Sequence, residues 1–265
     1  MRTLGLFLVA VCIGISSCEL LEDTGLSTEQ VAEGLKTALV VGTDSSSTVL
    51  SAVNGYYGDA AVKILLPPEA DGILDAMNEI GAVKTLMEPV IDNVVKTVNR
   101  AAEDAAVEAA PIFKNAITNM SFSDAWAILK GSNPANPKKS TEFDSLAATH
   151  YLISTTYDAL SAAFSPKIDV SLNKDLLGSV SANDAWNTFE TKYNYVADNA
   201  VYQLILTAAG INMDPVPSSL GAYATERALD GLFLKVGEQE RSIRENPLKW
   251  AATTVGNILE KVFGN

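Results

Sequence analysis

Six polar residues form the one constellation in this chain that could carry acid–base or ligand chemistry: Arg100, Glu103, Glu226, Asp230, Glu240 and Arg244. Arg100 and Glu103 stand one helical turn apart in Val98-Asn-Arg-Ala-Ala-Glu103, a stretch otherwise apolar or rich in alanine. Glu240 falls at the phase of an apolar arc made by Thr225, Leu229, Leu232, Phe233, Val236 and Ile243. Glu226 and Asp230 lie at the edge of that arc. Arg244 follows Glu240 by four residues, the favourable order for a carboxylate–cation pair on a helix. A charge at a core position costs several kcal/mol unless it is paired. Glu240 therefore requires a cation, and Arg100 is the expected donor from across the bundle, with Arg244 nearby; Glu226 is the second carboxylate expected to reach Arg100. The constellation has three readings. Carboxylates converging in an open cleft would do acid–base work, with Glu103, Glu240 and Arg100 as the enzyme's set. A cluster at the mouth of an apolar cavity would hold a ligand head group. A dry, fully paired network would fix how helices dock, and such networks are the commoner source of buried charge. No residue is assigned a catalytic role.

Other chemistries lack their residues. The two cysteines, Cys12 and Cys18, both precede the body of the chain, which leaves it no disulfide, thiolate metal site or catalytic thiol. With His150 as the only histidine, no zinc or other metal site is expected. No cofactor is expected either, because the chain has no phosphate-binding glycine loop, dinucleotide turn, His-Glu-x-x-His or calcium loop. A net charge of −13 without a basic stripe argues against nucleic acid as a partner.

The elements that must position the six residues read as helices. The chain has 265 residues, 48% hydrophobic and only 7% aromatic, with Ala, Leu and Val dominating, and no run of period-two alternation. The expected fold is an all-α, multi-helix bundle in a single domain. Ser27-Thr-Glu-Gln30 is a capping box that opens a helix through Leu39, which continues past a polar interruption at Thr43–Thr48 to about Tyr57. Ala61–Leu66 is extended ahead of Pro67-Pro68. Helix follows from Pro68 to Glu79, then from about Val83 to Ala109, with Pro89 in its early turns. Pro111 starts a further segment, and Ser123 caps a short helix ending at Gly131. A loop at Ser132–Ser140 precedes a helix from about Thr141 to Phe164 that Pro166 ends or redirects. A single helix is expected from about Ala182 to Ala209. The stretch from Tyr223 to Arg244 is one long amphipathic helix, and a final helix follows Pro247. Ser121-Phe-Ser-Asp-Ala-Trp126 and Ser181-Ala-Asn-Asp-Ala-Trp186 echo each other as repeated capping chemistry. The three tryptophans, with Tyr56, Tyr57, Tyr193 and Tyr195, are expected in the core.

Residues 1–17 carry a positive start (Arg2) and an apolar run from Leu4 to Ile15, too short for a spanning helix and therefore read as a secretory signal. The run closes on Gly14-Ile-Ser-Ser-Cys18, which resembles a bacterial lipobox. That resemblance implies cleavage before Cys18, a diacylglycerol on its thiol and an acyl group on its new amine. Cleavage removes one basic residue, Arg2, and no acidic one, taking −13 to −14. The domain map is thus 1–17 signal peptide, 18–26 acidic tether and 27–265 all-α domain. The expected location is the bacterial cell envelope, at the outer membrane, facing the periplasm or the cell surface. The partners are the membrane itself, through Cys18, and an apolar small molecule or another envelope protein.

Three blocks resemble a family of bacterial secreted and lipid-anchored proteins known as domain of unknown function 4197. They are Val98–Glu103 with Ala110-Pro-Ile-Phe113 and Ser123–Gly131; Ala148-Thr-His-Tyr151 through Thr155-Thr156 to Leu160, Phe164 and Pro166; and Tyr223–Phe233 with Glu240, Ile243-Arg244 and Lys261–Gly264. The chain departs from that pattern after Tyr151, where Leu152, Ile153 and Ser154 replace an aromatic and basic residues. The resemblance implies a helical fold and an envelope location, and supplies no activity. The function expected is that of a non-enzymatic binding or scaffold protein; the alternative is an enzyme using Glu103, Glu240 and Arg100.

Overall fold

The structure is a computed structural model that describes residues 27–135, 143–175, 180–217 and 219–245. The described residues form an all-α domain. Its helices are α1 (Thr28–Ser51), α2 (Asp71–Glu79), α3 (Gly81–Ala105), α4 (Ala109–Asn119), α5 (Phe122–Leu129), α6 (Ala147–Leu172), α7 (Ala182–Asp198), α8 (Ala200–Ala209) and α9 (Gly221–Glu245). Short 3-10 turns at Pro68–Ala70 and Ala106–Glu108 lead into α2 and join α3 to α4. None of the described helices is long and apolar enough to cross a membrane.

The apolar periodicity found in the sequence places α3 at the centre. It packs against α7 and α6 and also touches α1, α2 and α9. Val83, Met87, Val90, Val94, Val98, Ala101, Ala102 and Ala105 are buried along it. The alanines let neighbouring helices approach closely, and Phe113, Phe164, Trp186 and Phe189 fill the wider gaps. α9 packs on α6 and α1 through the arc that contains Glu240.

Several boundaries differ from expectation, each for a local reason. α1 begins at the capping box as read: the Ser27 hydroxyl accepts from Gln30 N–H, and Gln30 accepts from Ser27 N–H. The polar run does not interrupt it, because Thr43 and Ser46 donate back to the carbonyls of Leu39 and Gly42, both at 2.9 Å. The helix then ends at Ser51, short of Tyr57. Pro111 lies inside α4 rather than starting it. Pro166 lies inside α6 and does not end it. A proline within a helix costs about 3 kcal/mol, but the next turn buries Ile168 and Leu172, each worth roughly 1.5–3 kcal/mol. The expected helix over Ala182–Ala209 is two, because the Asn199 side chain accepts from Val201 and Tyr202 N–H and caps a fresh start. The cap of α5 is Ser121, not Ser123: its hydroxyl accepts from Asp124 N–H at 3.1 Å. Ser181 does the same for Asp184, so the sequence echo is repeated capping. Tyr56, Tyr193 and Trp186 are fully buried, Trp126 and Tyr57 are half-buried, and Tyr195 is exposed. The expected final helix, Trp250 and the residues before Ser27, Cys18 included, lie outside the described residues.

Candidate functional site

The six polar residues do not form one site. They divide into two buried clamps and one exposed surface cluster.

The first clamp is built on α9. Glu240 is 3% exposed, at the core phase the sequence assigns it. Its Oε1 accepts from the backbone N–H of Ala148 at 3.0 Å, and its Oε2 from that of Thr149 at 2.8 Å. The Thr149 hydroxyl donates to Oε2 at 2.8 Å. These amides belong to the first turn of α6, whose own cap position, Leu146, supplies no side-chain acceptor. Glu240 is therefore a capping residue delivered from another helix, and its charge meets the positive end of the α6 dipole. Arg244 completes the clamp: Nε and Nη2 donate to Glu240 Oε1 at 3.1 and 2.7 Å. Its Nη2 also donates to Ile128 O at 3.0 Å and Nη1 to Leu129 O at 3.5 Å, the last carbonyls of α5. One ion pair on α9 thus seals the negative end of α5 and the positive end of α6.

The second clamp is built on α3. Glu103 is 4% exposed. Its Oε1 accepts from Tyr56 and Tyr57 N–H at 3.3 and 3.2 Å, and its Oε2 from Arg100. Arg100 also donates to Asn54 Oδ1 at 2.7 Å, holding a residue whose φ of +70° marks the tight turn after α1. One turn earlier, the fully buried Asn99 accepts from Ile64 N–H at 2.9 Å and donates to Ile64 O at 2.7 Å. A side-chain amide here replaces a neighbouring strand, which explains how Lys63–Pro67 stays extended without a sheet partner. Tyr56 then links the clamp to α9: its hydroxyl donates to Ala228 O at 2.6 Å. Gly231 accommodates the ring, since a Cβ there would stand 2.8 Å from Tyr56 Cε1. Burial, and then the Glu103 charge, raise the Tyr56 hydroxyl far above the usual phenol range.

The expected contact between Arg100 and Glu240 or Glu226 does not occur. Arg100 is taken by Glu103 and Asn54. Glu240 obtains its cation from Arg244 and its remaining partners from α6, a source that helical phase cannot reveal. Glu226 and Asp230 are exposed and pair with Arg227. Asn99 and Tyr56 stand outside the six-residue constellation: Tyr56 was expected only as core, and for Asn99 an asparagine at core phase in α3 was the available signal. His150 is exposed and pairs with Asp144 at 2.7 Å. Burial alone would raise the Asp144 carboxyl, but hydrogen bonds from His150 and Leu146 N–H outweigh it and hold it low. Beside the first clamp, Phe143, Ser145, Arg241, Arg244 and Glu245 line an open depression of about 250 Å³. Among the described residues no group of His, Cys, Asp or Glu could hold a metal ion.

These clamps define an all-α domain whose buried charges hold helix ends and a turn. Residues 25–264 match the model of the family described as protein of unknown function (DUF4197), and the chain belongs to that family. No curated protein and no solved structure matches it.

Proposed function

We propose that this protein is a lipid-anchored component of the bacterial cell envelope, at the outer membrane, and that its helical domain acts as a non-enzymatic binding or scaffold protein. The anchor rests on Gly14-Ile-Ser-Ser-Cys18 at the end of the apolar run. The observation that carries the non-enzymatic reading is the occupancy of the two buried carboxylates. Every oxygen of Glu103 and Glu240 accepts from a backbone amide, a hydroxyl or an arginine, and the two groups grip different segments. A general acid or base needs a free path to substrate, and these groups are spent on a helix end and a turn. A binding role has support at α8, which carries no charge and exposes Val201, Leu204 and Ile205. That surface suits an apolar small molecule or another envelope protein. Native mass spectrometry of the protein purified from its own membrane tests both parts. A mature chain beginning at acylated Cys18, with a lipid or protein retained, is the expected result. An unacylated amino terminus elsewhere overturns the anchor, and a bare chain in every preparation overturns the binding role.

A further inference from the structure

We propose that Tyr57, Lys63, Lys96 and Arg100 form a binding site for a phosphate group. The Tyr57 ring is the centre of a cationic cluster: Lys63 Nζ lies 4.1 Å from its centroid, Arg100 Cζ 5.9 Å and Lys96 Nζ 6.0 Å. The three cations come from an extended segment and a helix, and the ring from a turn. A lysine without an ion pair on an acidic protein is ordinary by itself. Three cations gathered on one aromatic ring are not, because like charges brought together repel unless an anion joins them.

The local charge is unbalanced. Glu103 neutralises Arg100. The nearby Asp59 carboxylate is committed to Lys235 at 2.6 Å. Among the described residues Lys63 and Lys96 pair with no carboxylate; the same holds for Lys84 and Lys114, but Lys63 and Lys96 lie at one ring. Two ammonium groups therefore remain uncompensated at one place on a chain of charge −13. At physiological salt the screening length is about 8 Å, so an anion at the cluster feels these two charges more than the acidic surface beyond.

The cluster is also held rigidly, and this gives the second clamp a purpose beyond packing. Glu103 fixes the Tyr57 amide, Arg100 fixes Asn54, and Asn99 fixes both backbone groups of Ile64, next to Lys63. Lys96 and Arg100 ride on the same helix. Binding therefore orders little except the lysine tips. Lysine ammoniums suit phosphate as point charges, and the guanidinium of Arg100 has N–H donors beyond those it uses. Leu65, 62% exposed and two residues along the extended segment from Lys63, offers an apolar contact beside the phosphate. The phosphate could belong to a lipid headgroup or to a free metabolite.

The site is independent of the anchor and is tested with soluble probes. The full chain is titrated at ~50 mM salt, where the screening length exceeds about 10 Å. The probes are inorganic phosphate, glycerol 3-phosphate, dihexanoyl phosphatidylglycerol and dihexanoyl phosphatidylcholine, the lipids below their micelle concentrations. Phosphorus NMR and calorimetry report binding. Binding of the first two identifies a free phosphate source; binding of phosphatidylglycerol alone identifies a lipid headgroup. In either case the Lys63→Gln/Lys96→Gln variant should raise Kd at least ~10-fold through loss of both charges. Lys84→Gln, elsewhere on α3, should leave Kd unchanged. Equal melting temperatures would show that the variants fold. Absence of binding by every anionic probe, binding indifferent to the two lysines, or equal binding of phosphatidylcholine overturns the site.

Discussion

Replacing Glu240 by glutamine removes one charge and almost no volume, which makes it the sharpest probe of the α9 clamp. The carboxylate receives two backbone amides, a hydroxyl and two guanidinium N–H groups. An amide offers one acceptor atom where the carboxylate offered two. Whichever way it is turned, its NH2 faces donors, so at least one α6 amide or the arginine loses its partner. Glu240 and Arg244 side chains are 4% and 10% exposed, so water replaces little of what is lost. Breaking a buried pair costs about 3–5 kcal/mol, and slight rehydration of Arg244 favours the lower end. For a domain of this size each kcal/mol moves Tm by roughly 2–4 °C. Glu240→Gln should therefore lower Tm by roughly 6–12 °C, with an unchanged denaturant slope. Arg244→Gln should act on the same contacts, giving a coupling above ~1 kcal/mol in a double-mutant cycle. Glu226→Gln, on the exposed edge of the same helix, should stay within about 0.5 kcal/mol of the parent. A fall in Tm of less than about 2 °C for Glu240→Gln would refute the clamp.

Asn99→Leu should cost roughly 2–4 kcal/mol, because it leaves the buried N–H and C=O of Ile64 unpaired. Hydrogen exchange reads this at one amide, and an Ile64 amide as protected as in the parent would contradict it. Acid should destabilise the domain through three half-exposed carboxyls. The hydrogen bond from Lys235 lowers Asp59, and bonds from Lys174 and Ser171 overcome burial to lower Asp104. Asp144 is lowered in the same way by His150 and the Leu146 amide. Groups lowered on folding contribute stability that is complete above their unfolded values, about pH 4, and lost as pH falls through the folded ones. Urea midpoints should be level from pH 7 to 5 and fall below about pH 4; a midpoint unchanged at pH 3 would overturn this.

The helices and much of the core were legible because periodicity and capping act locally. Ser27 and Ser181 sit at helix starts that three or four residues announce, whereas the α5 cap, Ser121, stands two residues before the expected Ser123. The buried position of Glu240 was equally readable, since phase alone sets it. So was its pairing with Arg244, set by the four-residue spacing; its other partners were not. They are backbone amides of a helix whose start is 93 positions earlier in the chain, at Ala147, and the backbone leaves no residue-type signature in a sequence. Arg100, the cation expected to cross the bundle to Glu240, has its own demand met three residues away by Glu103. Pro166 misled in the opposite direction: it signals a helix end, and burial on both sides of it overrode the signal, while Pro111, expected as a helix start, stands in the first turn of α4. The link between α3 and α9 does exist, but a tyrosine makes it. Tyr56 donates its N–H to the Glu103 carboxylate and its hydroxyl to the carbonyl of Ala228.

The capping of α6 from α9 also orders events in time. Ala148 and Thr149 are made some 90 residues before the carboxylate that satisfies them. The last carbonyls of α5 wait still longer for Arg244. Tyr56 waits longest, its hydroxyl bonding a carbonyl 172 positions further on. Until Gly221–Glu245 arrives, three earlier elements carry unmet backbone or hydroxyl groups, and closing such long loops is slow. A chain emerging from amino to carboxyl end therefore stays open along much of its length, and its last described helix locks the whole at once.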